Sequence, residues 1–142
     1  MPHYRSRKDQ KNYATDIKNR TADCPFCALN DASEQIISQT KNFIVIRNIF
    51  PYSVWDAHRV TDHLMIVPKM HTEVLSKLCA QAAVEYVGIV SNYELKGYDI
   101  YARSPHSTIK SVPQQHTHLI KSDGKRVKAL LHLEKPYVRV LI

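Results

Sequence analysis

Short strand-forming runs around one long amphipathic segment constrain the fold of this chain more than any other feature. Residues 42–50 and 98–103 are rich in β-branched and aromatic residues, residues 63–67 form an apolar run that ends at a proline, and residues 112–121 predict a fourth strand. Most connections between these runs are short, which favours antiparallel pairing. The pattern therefore predicts an antiparallel sheet.

The segment between residues 72 and 97 predicts a single long helix. Thr72 is a suitable N-cap, Glu73 lies near the positive end of the helix dipole, and Gly97 is a suitable C-cap. Apolar side chains recur between them at spacings of three and four, which places them on one face. They are Leu75, Leu78, Cys79, Ala82, Tyr86, Ile89, Val90 and Tyr93. One long helix among four or five strands predicts an α+β fold.

The remaining segments predict connections and a short final element. Residues 51–62 predict a loop, and Asp123-Gly124 is typical of a turn. Two apolar stretches follow at residues 127–133 and 137–142, separated by a proline. They predict either a last helix or a hairpin.

The composition predicts one soluble domain. The chain has 142 residues, of which 44% are hydrophobic and 23% charged, as is ordinary for a globular protein of this length. No apolar run reaches the roughly 18 residues of a transmembrane helix, and no signal-peptide pattern follows the basic N-terminus. Three cysteines argue against a disulfide framework and for a reducing compartment. We therefore expect a cytoplasmic protein without membrane contact.

The formal net charge of +7 favours an anionic partner. Six basic residues against two acidic ones within residues 1–20 predict a basic, solvated and mobile arm, followed by a single domain over residues 21–142. The rest of the charge suits a nucleotide, a polyphosphate or a nucleic acid, and its sign alone does not choose among them.

Residues 111–120, Ser-Val-Pro-Gln-Gln-His-Thr-His-Leu-Ile, carry the strongest functional signal. In a strand, Gln114, His116 and His118 would point to the same side. Paired imidazoles suit a phosphate, a metal or a bond that is being broken, because histidine attacks phosphorus well and leaves well once protonated. The alternative is two surface histidines on an edge strand.

The pair Cys24 and Cys27 is the second candidate site, because a Cys-x-x-Cys pair serves zinc binding, thiol redox chemistry or neither. Zinc would need further ligands from His71, His63 or the histidine strand. Cys-Pro-Phe-Cys and the Ser-Val-Pro at 111–113 also resemble a glutaredoxin site. A polar arm in place of a buried strand before the first cysteine, and a missing downstream Gly-Gly, argue against that function.

Arg103 and Lys110 are the cations best placed to contact a phosphate, because they lie shortly before the histidine strand. Arg47 and Lys69 are weaker candidates. The alternative for each of them is a solvated surface charge.

Four segments, taken in order, resemble the histidine triad (HIT) superfamily of nucleotide hydrolases and transferases. Cys-Pro-Phe-Cys at 24–27 is similar to the cysteine pair near the start of many bacterial members, and Phe-Ile-Val-Ile-Arg-Asn at 43–48 resembles the strand that ends in a ribose-contacting Asp or Asn. Residues 63–71 resemble the family's His-apolar-Pro-Lys-x-His stretch. Residues 111–120 resemble the signature His-x-His-x-His followed by two apolar residues.

The resemblance implies a fold and partners. It covers residues 23–121 and leaves residues 122–142 as a C-terminal extension. The implied fold is α+β, with an antiparallel sheet of roughly five strands, one long helix and a smaller helix. The implied assembly is a homodimer that takes nucleotide substrates.

The resemblance also implies a role for each matching residue. His116 falls on the nucleophile that attacks the α-phosphate and forms a nucleotidyl-histidine intermediate. His118 falls on the histidine that contacts phosphate and assists proton transfer, and His63 falls on an additional histidine near the triad. Ser111 matches a serine that contacts phosphate or the leaving group, and Asn48 matches the ribose-contacting residue.

Family members with zinc bind it through two cysteines, the histidine after Pro-Lys-x and the first triad histidine. The first three match Cys24, Cys27 and His71, whereas Gln114 occupies the first triad position. An amide replaces imidazole poorly as a zinc ligand. The expected structural zinc site therefore has three clear ligands and a fourth that is water, Gln114 or another histidine. Gln114 is also a candidate substrate-binding residue, like Arg103.

These features favour a nucleotide hydrolase or nucleotidyltransferase. It would cleave nucleoside phosphoramidates or dinucleoside polyphosphates at the α-phosphate through a covalent nucleotidyl-His116 intermediate. A nucleotide-binding or regulatory protein without turnover is the first alternative, suggested by Gln114. A zinc-stabilised nucleic-acid-binding module is the second, suggested by the basic charge.

Overall fold

The computed structural model describes residues 3–20, 24–128, 130–134 and 137–141, the last two ranges by their backbone alone. Within these ranges lie two α-helices, a short 3₁₀ turn and eight strands. The helices are α1 (Arg7–Asn19) and α2 (Ala80–Glu94), and the 3₁₀ turn is Leu75–Lys77. The strands are β1 (Ile36–Gln39), β2 (Phe43–Arg47), β3 (Val54–Trp55), β4 (His58–Pro68), β5 (Asp99–Ala102), β6 (Thr117–Arg126), β7 (Leu130–Glu134) and β8 (Tyr137–Leu141).

Six of the strands form one antiparallel sheet, which has one strand more than the roughly five predicted from the sequence. The strand order is β1-β2-β4-β6-β5, and β3 pairs with the beginning of β4. The long strands β4 and β6 lie at the centre, where Met65 is opposite His118 and His63 is opposite Ile120. The predicted α+β fold with an antiparallel sheet is confirmed.

The two faces of the sheet have different neighbours, because side chains alternate along each strand. One face packs against α2 through a cluster that includes Phe43, Ile66, Leu119 and the helix residue Tyr93. The other face packs against the Cys24–Cys27 region and β1. It includes Ile44, Ile46, Met65 and Val67, with Phe26, Leu29 and Ile36 packed against them. The polar site described below lies on this second face.

The loop predicted at residues 51–62 contains β3 and the first part of β4. The two-residue turn Asp56-Ala57 joins the strands, and both residues have positive φ angles, of 47° and 60°. Positive φ at both central positions matches the twist of a tight hairpin. Neither residue is a glycine, so the usual sequence signal for this hairpin is missing.

The histidine strand begins later than the sequence predicts. Regular pairing starts at Thr117, and residues 111–116 approach the sheet as irregular chain in which the Gln115 amide donates to the Thr72 carbonyl at 2.6 Å. Pro113 has no amide hydrogen to donate to a strand neighbour. The predicted turn at Asp123-Gly124 lies inside β6, where the register with β4 shifts and Gly124 has a φ of 70°. It is a bulge rather than a chain reversal.

The long helix also begins later than predicted. The Thr72 hydroxyl bonds to the backbone of Val74 instead of capping a helix, a 3₁₀ turn follows, and α2 starts at Ala80 with Cys79 as its N-cap. The predicted end is confirmed: Gly97 has a φ of 79°, and the amides of Gly97 and Tyr98 donate back to Glu94 and Tyr93.

Regular elements also lie near both ends of the described residues. Residues 7–19, predicted to belong to a mobile arm, form α1, and none of the residues of this helix is buried. Of the two structures predicted for the last segments, the hairpin is the one found, as β7 and β8. No helix in the described ranges is long and apolar enough to cross a membrane.

Candidate functional site

Three histidines from two central strands form a buried cluster. His63 lies on β4, His118 lies on β6, and His116 immediately precedes β6; their exposed fractions are 2%, 5% and 7%. His63 Nε2 lies 2.9 Å from His118 Nδ1, and the rings of His116 and His118 are 5.1 Å apart. The structure therefore brings together the three residues that the sequence predicts as catalytic.

The hydrogen-bond network assigns the protons of His63 and His118. The Tyr52 amide donates to His63 Nδ1 at 3.0 Å, so this nitrogen is an acceptor and the proton of neutral His63 lies on Nε2. Nε2 then donates to His118 Nδ1. His118 therefore carries its own proton on Nε2, because the hydrogen bond from His63 makes His118 Nδ1 an acceptor.

His116 has the opposite arrangement. Its Nδ1 donates to the Gln114 backbone carbonyl at 2.8 Å, which leaves the lone pair of Nε2 free. The ring of Phe26 packs edge-on at 5.2 Å. The cluster thus offers one imidazole with a free lone pair beside one with a free N–H. This arrangement suits a nucleophile beside a hydrogen-bond donor to developing negative charge.

Burial keeps all three histidines neutral. It lowers the pKa of His63 to about 3, with smaller contributions from Arg5, His3 and His116. Burial also places the pKa of His118 well below its usual value, and it lowers that of His116 against the opposing hydrogen bond to Gln114. At neutral pH the nucleophilic lone pair of His116 is therefore available.

A layer of aromatic rings covers His63 and His118, and sequence reasoning did not assign most of it to the site. Tyr52 stacks on Trp55 with centroids 5.9 Å apart, and its ring lies 4.5 Å from His63. Tyr101 lies 5.8 Å from His118. The aromatic content of residues 51–62 was the available signal for Tyr52 and Trp55.

A cavity of about 1270 Å³ opens beside the histidines. That volume is ample for a nucleotide. Both His116 and His118 line it, as do the predicted substrate-binding residues Asn48, Arg103 and Ser111. The Asn48 side chain also accepts a hydrogen bond from the Phe50 amide and lies 3.2 Å from His63 Nε2.

Gln114, the fourth predicted substrate-binding residue, lies elsewhere. Its side chain is 1% exposed and does not line the cavity. Its Nε2 donates to the Pro68 carbonyl at 2.8 Å, which turns Oε1 toward the thiols of Cys24 at 2.8 Å and Cys27 at 3.4 Å. The strand alternation behind the prediction fails because residues 111–116 are not a strand.

The predicted metal ligands Cys24, Cys27 and His71 come together around the Gln114 amide. Their donor atoms all lie within 4.8 Å of one another, and Cys27 Sγ lies 3.1 Å from His71 Nδ1. Partial desolvation, together with the neighbouring Cys24, raises the pKa of the Cys27 thiol. Two sulfurs and one imidazole nitrogen are a donor set that fits zinc.

The N-terminal segment also reaches the site, a contact that sequence reasoning missed. Tyr4 exchanges backbone hydrogen bonds with Ser53 and Val54. The Arg5 Nε donates to the Phe50 carbonyl at 2.9 Å, and its guanidinium lies 4.8 Å from the centre of the Tyr52 ring. No local pattern in the sequence indicates this packing.

Two solved structures share this architecture. The chain is 21% identical to a HIT family hydrolase from Legionella pneumophila Philadelphia 1, over 72% of this chain and 94% of that one, with a TM-score of 0.51. It is 19% identical to a histidine triad protein from Clostridium difficile, over 74% and 93%, with a TM-score of 0.52. No protein-family model and no curated protein matches the sequence. At these identities the similarity establishes the fold, which is that of histidine triad proteins.

Proposed function

We propose that this chain is a nucleotide hydrolase or nucleotidyltransferase of the histidine triad superfamily that acts at the α-phosphorus of its substrate. The observation that carries the proposal is the pair of complementary tautomers at the cavity. His116 presents a free Nε2 lone pair, and His118 presents an Nε2–H. The substrates are nucleoside phosphoramidates or dinucleoside polyphosphates.

The reaction has two displacement steps. In the first, His116 Nε2 attacks the α-phosphorus, the bond from phosphorus to the leaving group breaks, and the leaving group takes that electron pair. The Nε2–H of neutral His118 hydrogen-bonds to the leaving atom as its negative charge develops, and a basic leaving group then takes its proton from water. In the second, a water oxygen attacks the same phosphorus and its proton passes to the surrounding water. The bond to His116 breaks, its electron pair returns to Nε2, and the nucleoside monophosphate leaves.

The other residues at the cavity bind and orient. Arg103 supplies positive charge for the phosphate oxygens, and Ser111, which also lines the cavity, supplies a hydroxyl. Asn48, which lines the cavity, would contact the ribose. His63 does not line the cavity, so its role would be to position His118 rather than to touch the substrate. Tyr52 and Trp55 exclude water from the histidines.

We also propose that Cys24, Cys27 and His71 hold a structural zinc ion, with the Gln114 amide oxygen as the fourth donor. Both thiols already converge on that oxygen, and the Pro68 carbonyl fixes its direction. Metal analysis of protein purified without chelator should find about one equivalent of zinc. Less than about a tenth of an equivalent would contradict the proposal.

A homodimer through α2 fits the surface of the helix. Val84, Val87 and Leu95 lie on one side of it and are 74%, 63% and 89% exposed. Such a set of exposed apolar side chains is typical of an interface. Light scattering should give twice the chain mass for the wild type and the chain mass for Val87→Glu.

The decisive test of the proposed function is turnover by wild type beside His116→Ala. A panel of nucleoside phosphoramidates and dinucleoside polyphosphates is incubated with each protein, and products are separated by chromatography. Nucleoside monophosphate formed by wild type alone supports the proposal. Nucleotide binding by a folded wild-type protein without any product would favour the binding protein without turnover. The exposed His106→Ala serves as the control.

A further inference from the structure

The N-terminal segment, residues 3–20, forms one wall of the cavity that the histidines line. Its lining side chains include Arg5, Arg7, Lys11, Tyr13, Asp16 and Arg20. Three backbone hydrogen bonds of Tyr4 and the side-chain bond of Arg5 to Phe50 attach the segment to the β2–β3 connection. The Arg5 guanidinium is held 4.1 Å from the centre of the Tyr13 ring and 4.8 Å from that of Tyr52. Residues 3–20 are therefore placed against the site by specific contacts.

The cavity has a strong excess of positive charge. Arg5, Arg7, Lys11, Arg20 and Arg103 line it, against Asp16 as the one acidic residue among those lining it. Asp16 pairs with Arg20 at 2.6 Å. In the part of the chain that the structure describes, the other four cations have no carboxylate within ion-pair distance. Four unpaired cations around one cavity favour a multiply charged anion.

The positive charge of this wall affects the pKa values of histidines in the cluster. Arg5 is among the causes that lower the pKa of His63 and His118, after burial. His3 Nε2 lies 3.4 Å from Arg103 Nη2, and burial together with Arg103 and Arg5 lowers the pKa of His3 to about 4. Residues of the wall and of the histidine cluster thus act on one another within a single cavity.

We propose that residues 3–20 form a binding site for a phosphate chain beyond the scissile bond, with Arg7 and Lys11 of α1 as its cationic ligands. This inference rests on the proposed function, because it takes the α-phosphate to lie at His116. It specifies the leaving group as a polyphosphate rather than an uncharged amine. Arg5, held by Phe50, Tyr13 and Tyr52, fixes the position of the wall.

Calorimetric titration with inorganic tripolyphosphate tests the site directly, without turnover. The informative variant is Arg7→Gln/Lys11→Gln. The matched control is Lys8→Gln/Lys18→Gln, which removes the same charge from the same helix at residues that do not line the cavity. Glutamine retains the helix propensity of arginine and lysine. We expect the dissociation constant to rise about tenfold in the first variant and less than about twofold in the control.

Substrate selection provides the second readout. The ratio of kcat/KM for a dinucleoside polyphosphate to kcat/KM for a nucleoside phosphoramidate with an uncharged leaving group should fall about tenfold in Arg7→Gln/Lys11→Gln. In the control variant this ratio should stay within about twofold of wild type. Circular dichroism confirms that both variants keep their helix content.

Several outcomes would overturn the inference. If both variants weakened tripolyphosphate binding equally, the general positive charge of α1 rather than a specific site would account for binding. If wild type did not bind tripolyphosphate, residues 3–20 would not form the proposed site. Tight binding of a single-stranded oligonucleotide that both variants weaken, without tripolyphosphate binding, would make α1 a nucleic-acid surface instead. Failure of the proposed function is distinguishable, because His116→Ala would then bind tripolyphosphate as wild type does while neither protein forms product.

Discussion

The histidine cluster and the cysteine cluster lie on the same face of the sheet but are completed in different ways. His63, His116 and His118 are buried, neutral, and oriented by hydrogen bonds to one another and to the backbone. In the cysteine cluster, Cys24 and Cys27 both direct their thiols at one amide oxygen. The first arrangement is satisfied without an added ion, whereas the second gains most from a cation.

One residue connects the two clusters. The side chain of Gln114 belongs to the cysteine cluster, and its backbone carbonyl fixes the tautomer of His116. Within residues 114–118, the side chain of Gln114 therefore belongs to the cysteine cluster, whereas His116 and His118 line the cavity.

The largest expected effect comes from removing the Nε2–H donor of His118. In His118→Ala, kcat for a nucleoside phosphoramidate should fall about a thousandfold, because the charge that develops on the leaving nitrogen loses its hydrogen bond. For a nucleotide ester with a nitrophenolate leaving group the loss should be about tenfold, since the aromatic ring delocalises that charge. Steady-state kinetics with both substrates make the comparison, and equal losses would show that His118 does not act on the leaving group. His106→Ala, at an exposed histidine, should match wild type with both substrates.

The next effect concerns the cysteine cluster. Gln114→Ala leaves the Pro68 carbonyl and two thiols without their partner, so the free energy of unfolding should fall by about 1–3 kcal/mol. The neighbouring buried Gln115 has its hydrogen bond to Thr72 through the backbone, so Gln115→Ala should change stability less. Urea unfolding and zinc content are measured for both variants. If the zinc content fell equally in both variants, the Gln114 side chain would not be a zinc ligand.

The effect of pH tests the neutrality of the histidine cluster. The pKa of His63 is lowered from 6.5 to about 3, so the unfolded chain binds more protons than the folded one between these values. The contribution of His63 to the free energy of unfolding is therefore complete above pH 6.5 and decreases as the pH drops toward 3. The slope should be about 1.4 kcal/mol per pH unit from His63, and His118 adds to it in the same direction.

Chelator-treated protein is used for this measurement, so that loss of metal does not contribute to the slope. Urea unfolding at several pH values should give a shallower slope for His63→Gln than for wild type. His106→Gln, which changes an exposed histidine, should leave the slope unaltered. A wild-type slope near zero below pH 6.5 would mean that the buried histidines do not resist protonation.

Sequence patterns predict the parts of the site that depend on local order. The strand containing His63 is a short apolar run, and the motif around His116 and His118 is specific, so their meeting on one sheet face follows from the antiparallel fold. The position of Gln114 does not follow, because it depends on where regular pairing of β6 begins. That boundary is set by contacts such as Gln115 with Thr72, which are distant in sequence.

The position of the N-terminal wall could not be predicted for the same reason, because it depends on contacts between residues distant in sequence. Six basic residues against two acidic ones predict a solvated segment, and the structure has α1 there, with no buried residue. What places it is the backbone pairing of Tyr4 with Val54 and the stacking of Arg5 on Tyr13 and Tyr52. The contacts of Tyr4 with Val54 and of Arg5 with Tyr52 join positions about 50 residues apart, and no periodic pattern in the sequence indicates them.

The smallest expected effect tests whether the two clusters communicate through packing. Phe26 belongs to the loop of Cys24 and Cys27, and its ring meets that of His116 edge-on at 5.2 Å. Phe26→Leu should lower kcat about two- to tenfold, the value of one such aromatic contact. If zinc orders this loop, chelation should slow wild type by a similar factor and Phe26→Leu hardly at all. Equal slowing of both by chelation would show that the metal acts on His116 through Gln114 alone, and the backbone carbonyl would then be the whole connection between the clusters.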